Sequence, residues 1–278
     1  MTSARRVGIF GGTFDPVHNG HLQAAAAVRS RFKLDRVLFI PSRIPPHKRR
    51  SDMAPAAARL AMVEAAVRGT KGFSASPLEV RSPRTSYSIH TLAKIRKQMP
   101  AARLFFILGA DAFGEIKTWR EWRRVLGQCI FIVTTRPGTS LRAARAVLMP
   151  EYAVRMAAVR KTSDIEALLR AGRSIFFLRI QALAVSSSDI RRRVGEGRPI
   201  ESLVPAGVAA LIRSGNLYRG QKNDQTEKNI SQSRRGGENR KINAEAAAAR
   251  PESGDRSVLK QESGGRRRPR PQGCGHVH

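Results

Sequence analysis

The sequence predicts an α/β fold in which a doubly wound parallel sheet is covered by helices on both faces. Three observations carry this expectation. Five short runs rich in Val, Ile and Phe are apolar throughout rather than alternating, the pattern of strands buried on both sides. Between them lie segments with high alanine content or apolar spacing near 3.6, and strand–helix alternation of this kind builds doubly wound sheets. A glycine pair closes the first run, and such sheets bind ligands just outside the carboxyl ends of their strands.

The elements follow in order. RRVGIFGG (5–12) is the first strand, and HLQAAAAVRSRF (21–32) is the helix after it. DRVLFIP (35–41) is the second strand, with APAAARLAMVEAAVRG (54–69) and SYSIHTLAKIRKQM (86–99) as helices. RLFFILGA (103–110) returns to strand, WREWRRVLG (119–127) to helix, and CIFIVTT (129–135) and SIFFLRI (174–180) complete the set. Past residue 181, SSSDIRRRVGEG and PAGVAALIRSG read as two short C-terminal helices, each opened by capping residues or proline and ended by glycine. Residues 220–278 hold no aromatic and few apolar side chains, too little to offset the entropy of ordering. The reading is one folded domain at 1–219 followed by a disordered basic tail at 220–278.

Composition narrows the class. Hydrophobic residues make up 41% of the 278, enough for a core, and no apolar run is long enough to cross a membrane. The start passes directly into a strand-like segment without a secretory leader, so the expected compartment is the cytoplasm. Two cysteines make no disulfide framework, and Cys129 lies in an apolar run as a core residue. The closing CGHVH offers only three ligands on a chain end, which makes a poor metal site. Of the formal charge of +30, +24 falls in residues 1–219 and +6 in the tail. The excess is arginine spread along the chain without interleaved aromatics. It implies a surface with a cleft for anionic substrates rather than a specific nucleic-acid face.

The chemistry concentrates in GIFGGTFDPVHNGHL (8–22). Gly11 and Gly12 let the backbone turn tightly, and its N–H groups there can cradle phosphate oxygens. His18 and His21 straddle a helix start with Asn19 as the expected cap, and at this spacing both imidazoles reach one side of the first turn. The helix dipole favours an anion at the same place. The stretch lacks a P-loop lysine and the G-x-G-x-x-G of a dinucleotide fold. Glycine amides, two imidazoles and a dipole suit a polyphosphate whose bridging oxygen departs, with catalysis by positioning and electrostatics. The bland alternative is a pair of histidines that only cap the helix.

GGTFDPVHNGH resembles the G-T/S-F-D-P-x-H-x-G-H signature of the HxGH-motif nucleotidyltransferases. From about residue 6 to residue 218 the chain is similar to the bacterial nicotinate-nucleotide adenylyltransferases of that group. The resemblance implies a Rossmann-like sheet and transfer of AMP from ATP to nicotinate mononucleotide, giving deamido-NAD and pyrophosphate in NAD biosynthesis. It implies His18 and His21 as catalytic residues, and Gly11, Gly12, Thr13, Phe14 and Asp111 as ATP-binding. AVSSSDIRRRV (184–194) resembles the family's second signature, in which Ser186, Ser187, Ser188 and Arg191 would hold the leaving pyrophosphate. On the acceptor side, PSRIPPHK (41–48) contributes Lys48, RTSYSIHTL (84–92) a backbone amide near Thr85, and TTRPG (134–138) contributes Arg136. In GADAFGEIKTWREW (109–122), Trp119 would stack on the pyridine ring and Arg120 would offer a backbone amide, while Trp122 is a core candidate.

The chain departs from the family in two places, with Arg120 where many members carry an aromatic and Val185 where isoleucine is frequent. Mg2+ would arrive with ATP rather than sit in a protein cage. Nicotinamide mononucleotide is an alternative acceptor. Phosphopantetheine is disfavoured because those enzymes are usually shorter and lack the PPHK and TWREW stretches. An Arg-rich nucleic-acid module on the same fold would carry degraded catalytic positions, and these are intact. The sequence identifies no oligomer interface.

Overall fold

The protein is described by a computed structural model, which defines residues 4–46, 53–135, 141–181 and 183–219. Among them, seven strands form one sheet. They are β1 (Arg6–Gly12), β2 (Arg36–Pro41), β3 (Phe73–Ala75), β4 (Arg103–Gly109), β5 (Ile130–Thr135), β6 (Met156–Ala158) and β7 (Ile175–Arg179). The order is β3-β2-β1-β4-β5-β7-β6, and every neighbouring pair is parallel. Strand order reverses between β1 and β4, where Phe10 stands beside Ile107. That reversal opens a crevice at the carboxyl ends of the two strands.

The continuously apolar strands are explained by the two layers that cover them. Successive strand residues point to opposite faces. Phe105 and Phe176 therefore join the core on one face with Phe32, Phe39, Met62 and Val208. Phe106 and Phe177 join the other with Leu92, Val125 and Phe131. Burying each such ring stabilises the fold by about 1.5–3 kcal/mol. The helices on these faces include α1 (Asn19–Phe32), α2 (Ala56–Val67), α3 (Ser88–Gln98), α4 (Ala110–Gly114), α5 (Trp122–Gln128), α6 (Leu141–Ala146) and α7 (Asp164–Arg170). Cys129 is a buried free thiol, and burial pushes its pKa up to about 12.

Two local expectations need correction, and two strands were not expected. The helix placed at 119–127 begins only at Trp122, because Trp119 is extended and Glu121 adopts a left-handed φ of 53°. The helix placed at 21–32 starts two residues earlier, with His18 rather than Asn19 as its cap. β3 and β6, of three residues each, were not legible as strands.

The two C-terminal helices are α8 (Ser187–Gly195) and α9 (Ala206–Ser214). α9 packs on α2. The chain then turns back through Asn216 and Tyr218, with φ of 48° and 64°, and buries Tyr218 beneath the loop that leaves β1. The chain beyond Arg219, expected as a disordered tail, lies outside the described residues.

Candidate active site

β1 ends in the glycine pair and hands the chain to a buried turn. Phe14 adopts a left-handed φ of 49°, uncommon for a bulky residue. Its ring folds back against Phe10 and His21, with centroids 5.6 and 5.1 Å away. A Cβ on Gly12 would lie 3.1 Å from the tip of that ring, so glycine makes room for the fold-back.

His18 and His21 then open α1. The His18 N–H donates to Nδ1 of His21 at 3.3 Å, and the two imidazoles stack with centroids 3.7 Å apart. With Nδ1 of His21 accepting, the ring N–H is assigned to Nε2. His21 is half-buried, and His18 is only 1% exposed. Gly20 sits in a tight place: a Cβ there would come 3.0 Å from Val185 Cγ1 and 3.2 Å from His18 Nδ1. Asn19 is a tether rather than a cap. Its N–H donates to the Leu203 carbonyl at 2.9 Å and its Nδ2 to the Ser202 carbonyl at 3.1 Å.

The amino end of α8 meets this turn. Ser186 caps the helix by accepting the Asp189 N–H at 3.0 Å. Ser187 Oγ donates to the Pro16 carbonyl at 2.9 Å. Arg191, buried, donates from Nη1 to the Asp15 carbonyl at 2.6 Å and from Nη2 to Ser188 Oγ at 3.1 Å. The serine run and Arg191 are therefore stitched into the β1 loop as well as set beside it. Two helix amino ends, α1 and α8, bracket one loop, an arrangement that favours bound phosphate.

On the other side of β1 lies a cavity of about 200 Å³. Its walls include Gly11, Gly12 and Thr13 from the loop, Tyr87 and Ser88 at the start of α3, and Phe106, Trp119 and Arg120. Trp119 is half-buried, edge-on to Phe106 at 5.8 Å, and Arg120 lies over the Tyr87 ring at 5.2 Å. Trp122 is half-buried against Tyr152, outside the cavity lining. Glu79 also lines the cavity, where it accepts from Thr91 Oγ1 at 2.6 Å. Burial raises its carboxyl pKa, against the lowering effect of hydrogen bonds from Thr91 and Ser86 and the charge of Lys94.

Most of the residues expected from the sequence thus converge. Gly11, Gly12, Thr13, Trp119 and Arg120 share the cavity, while Phe14, His18, His21, the serines and Arg191 cluster around the neighbouring β1 loop. Asp111 is exposed in the first turn of α4, just past β4. Thr85 lines an adjoining groove with His90 and Lys94 rather than the cavity. Lys48 and Arg136 lie outside the described residues. Glu79, Arg59 and Tyr218 belong to the site's framework and carried no local sequence signal.

Among the described residues, no three His, Cys, Asp or Glu side chains converge as metal ligands, and no helix is long and apolar enough to cross a membrane.

Fold and site together define an α/β nucleotidyltransferase. The cytidylyltransferase-like family profile matches residues 9–193. A probable nicotinate-nucleotide adenylyltransferase of Desulfatibacillum aliphaticivorans is 39% identical over 216 residues, covering 77% of this chain and 99% of the relative. One from Pseudomonas aeruginosa is 38% identical over 216 residues, covering 77% and 98%. Among solved structures, the Plasmodium falciparum nicotinic acid mononucleotide adenylyltransferase complexed with NaAD matches with a TM-score of 0.58. At 17% identity, over 77% of this chain and 97% of that one, this likeness speaks to the fold. The chain belongs to the cytidylyltransferase-like family and, within it, to the nicotinate-nucleotide adenylyltransferases.

Proposed function

We propose that the protein joins ATP to nicotinate mononucleotide in the crevice between β1 and β4, forming deamido-NAD for NAD biosynthesis. The observation that carries this reading is the pairing of two unlike compartments across one loop. One is a phosphate-type site built from His18, His21 and the amino end of α8. The other is an aromatic-walled cavity faced by Trp119. A phosphate oxygen of the mononucleotide forms a bond to the α-phosphorus of ATP. The bond from that phosphorus to the bridging oxygen breaks, and pyrophosphate leaves with the electron pair. The nucleophile is already an anion at neutral pH, so no general base is required.

In this reading His21 donates from Nε2 to the phosphates, and His18 backs it through the stacked pair. Gly11, Gly12, Thr13 and Phe14 shape the nucleotide loop, and Asp111 faces the nucleoside from the end of β4. Ser186, Ser187, Ser188 and Arg191 form the pyrophosphate end, through the α8 dipole and hydroxyls. Trp119 stacks on the pyridine ring, and the backbones at Thr85 and Arg120 meet its carboxylate beside the amino end of α3. Lys48 and Arg136 are assigned to the mononucleotide phosphate. Mg2+ enters with the triphosphate and neutralises part of its charge. The catalytic unit is assigned to 1–219. We also assign the protein to the cytoplasm, in keeping with a chain of only two cysteines and a free thiol at Cys129.

The test is pyrophosphate release from ATP and Mg2+ with nicotinate or nicotinamide mononucleotide in parallel. Release with the nicotinate form, abolished in His18→Ala, supports the reading. Equal rates with both acceptors would remove the assigned discrimination. No release with either would overturn it.

A further inference from the structure

Asp15 lies between the glycine pair and His18 and is 4% exposed. Its Oδ1 accepts the Tyr218 hydroxyl at 2.7 Å and the Ala54 N–H at 3.1 Å. Its Oδ2 lies 3.7 Å from Arg191 Nη1, the same nitrogen that holds the Asp15 carbonyl. Arg59, 1% exposed, clamps the loop from α2. It donates to the Thr13 carbonyl at 2.6 Å, to the Ala54 carbonyl at 3.0 Å and to the Arg43 carbonyl at 3.2 Å.

The β1 loop is therefore gripped at several points: by Arg59 at the backbone of residue 13, by Arg191 at the backbone of residue 15, by Ser187 at the backbone of residue 16, and by Tyr218 and the Ala54 N–H at the Asp15 side chain. The Tyr218 contact joins residues 203 positions apart. Burial and the adjacent Asp15 carboxylate raise the phenol's pKa far above the working range, so the hydroxyl stays a donor. The two grips on Asp15 compete. Without the phenol, Oδ1 keeps one donor and the carboxylate is drawn toward Arg191. A closer ion pair there would pull on Nη1, which also holds the Asp15 carbonyl, and through the planar guanidinium on the Nη2 contact to Ser188. His18 follows three residues later on the same short turn.

We propose that Tyr218 is a positioning residue for AMP transfer: its hydroxyl holds the Asp15 carboxylate off Arg191 and so fixes the loop that carries His18. This rests on the adenylyltransferase reading for its kinetic consequence but not for its structural one.

The experiment uses the full chain as wild type, Tyr218→Phe, Asp15→Asn and the double variant. Two readouts are taken well below each variant's melting temperature: steady-state pyrophosphate release, and amide hydrogen exchange across residues 11–21. The expected result for Tyr218→Phe is a kcat lowered about tenfold with the KM for nicotinate mononucleotide nearly unchanged. Exchange in the loop should be faster, by about tenfold. Adding Tyr218→Phe to Asp15→Asn should cause little further change, because the two act through one contact. Wild-type kcat and wild-type loop exchange in Tyr218→Phe would overturn the proposal, as would losses that simply add in the double variant. If the wild type releases no pyrophosphate, the adenylyltransferase reading falls while the exchange comparison still decides the role of Tyr218.

Discussion

The His18 N–H donates to Nδ1 of His21 at 3.3 Å, so one imidazole supports the helix cap through one nitrogen and keeps Nε2 as its donor. The two roles separate by substitution. His21→Asn keeps a side-chain acceptor near the cap and removes the Nε2 donor. Thermal stability should stay close to wild type, while kcat falls by about 10²–10³, the usual effect of losing one transition-state donor. His21→Ala should lose both, with about 1 kcal/mol of stability gone with the cap. Melting curves beside steady-state kinetics check this.

Gly20→Ala places a methyl between Val185 and the His18 ring, at 3.0 and 3.2 Å. The ring yields, and kcat should drop by about tenfold because positioning at this distance is unforgiving. Val185→Ala opens the other side of the gap. In the double variant, part of the lost rate should return; a purely additive loss would show that the crowding does not act through the imidazole.

Trp119 forms one wall of the cavity beside β1, the proposed acceptor site, and His18 and His21 are not among its lining residues. Trp119→Ala should raise the KM for nicotinate mononucleotide by about tenfold or more, in line with stacking worth about 1–3 kcal/mol. The KM for ATP should change little. Equal shifts in both constants would place the ring elsewhere.

Glu79 is half-buried in the wall of the same cavity, and its carboxyl pKa is raised, chiefly by desolvation. The folded state then holds its proton more tightly than the unfolded chain does. Stability from this group is complete below the unfolded value and declines as pH rises through the folded one. Above that point the ionised carboxylate would also oppose a nicotinate carboxylate bound as proposed. Glu79→Gln should flatten the decline and raise the melting temperature at neutral pH by about 2–4 °C, the shift for ~1 kcal/mol in a domain of this size. Thermal scans at several pH values test the sign.

Deletion of residues 220–278 should leave turnover unchanged. Tyr218 is the last buried residue of the described chain, and the curated relative is matched over 99% of its length by 216 residues of this one. Comparing kcat/KM of full-length and shortened protein decides it.

The five long strands were readable because both faces are covered and their residues are apolar without a break. β3 and β6 were not, since three residues show no periodicity of either kind. The histidine motif and the tryptophan segment were readable because their chemistry is local. Arg59 was not: among the alanines of α2 it looks like a solvated charge, and its acceptors at residues 13, 43 and 54 meet only after folding. Tyr218 could be read as the place where order ends, but the partner that explains it lies near the other end of the domain. Pairing across such distances leaves no mark in neighbouring residues.

The reversal of strand order between β1 and β4 gives the crevice two banks of separate ancestry in the chain. The bank proposed for the phosphates comes from the β1 loop and α8, and the bank proposed for the ring largely from the segments after β2, β3 and β4. A graft of the ring bank alone, taken from a cousin with a different taste in acceptors, should therefore retrain this protein toward a new product while its engine for cleaving ATP runs as before.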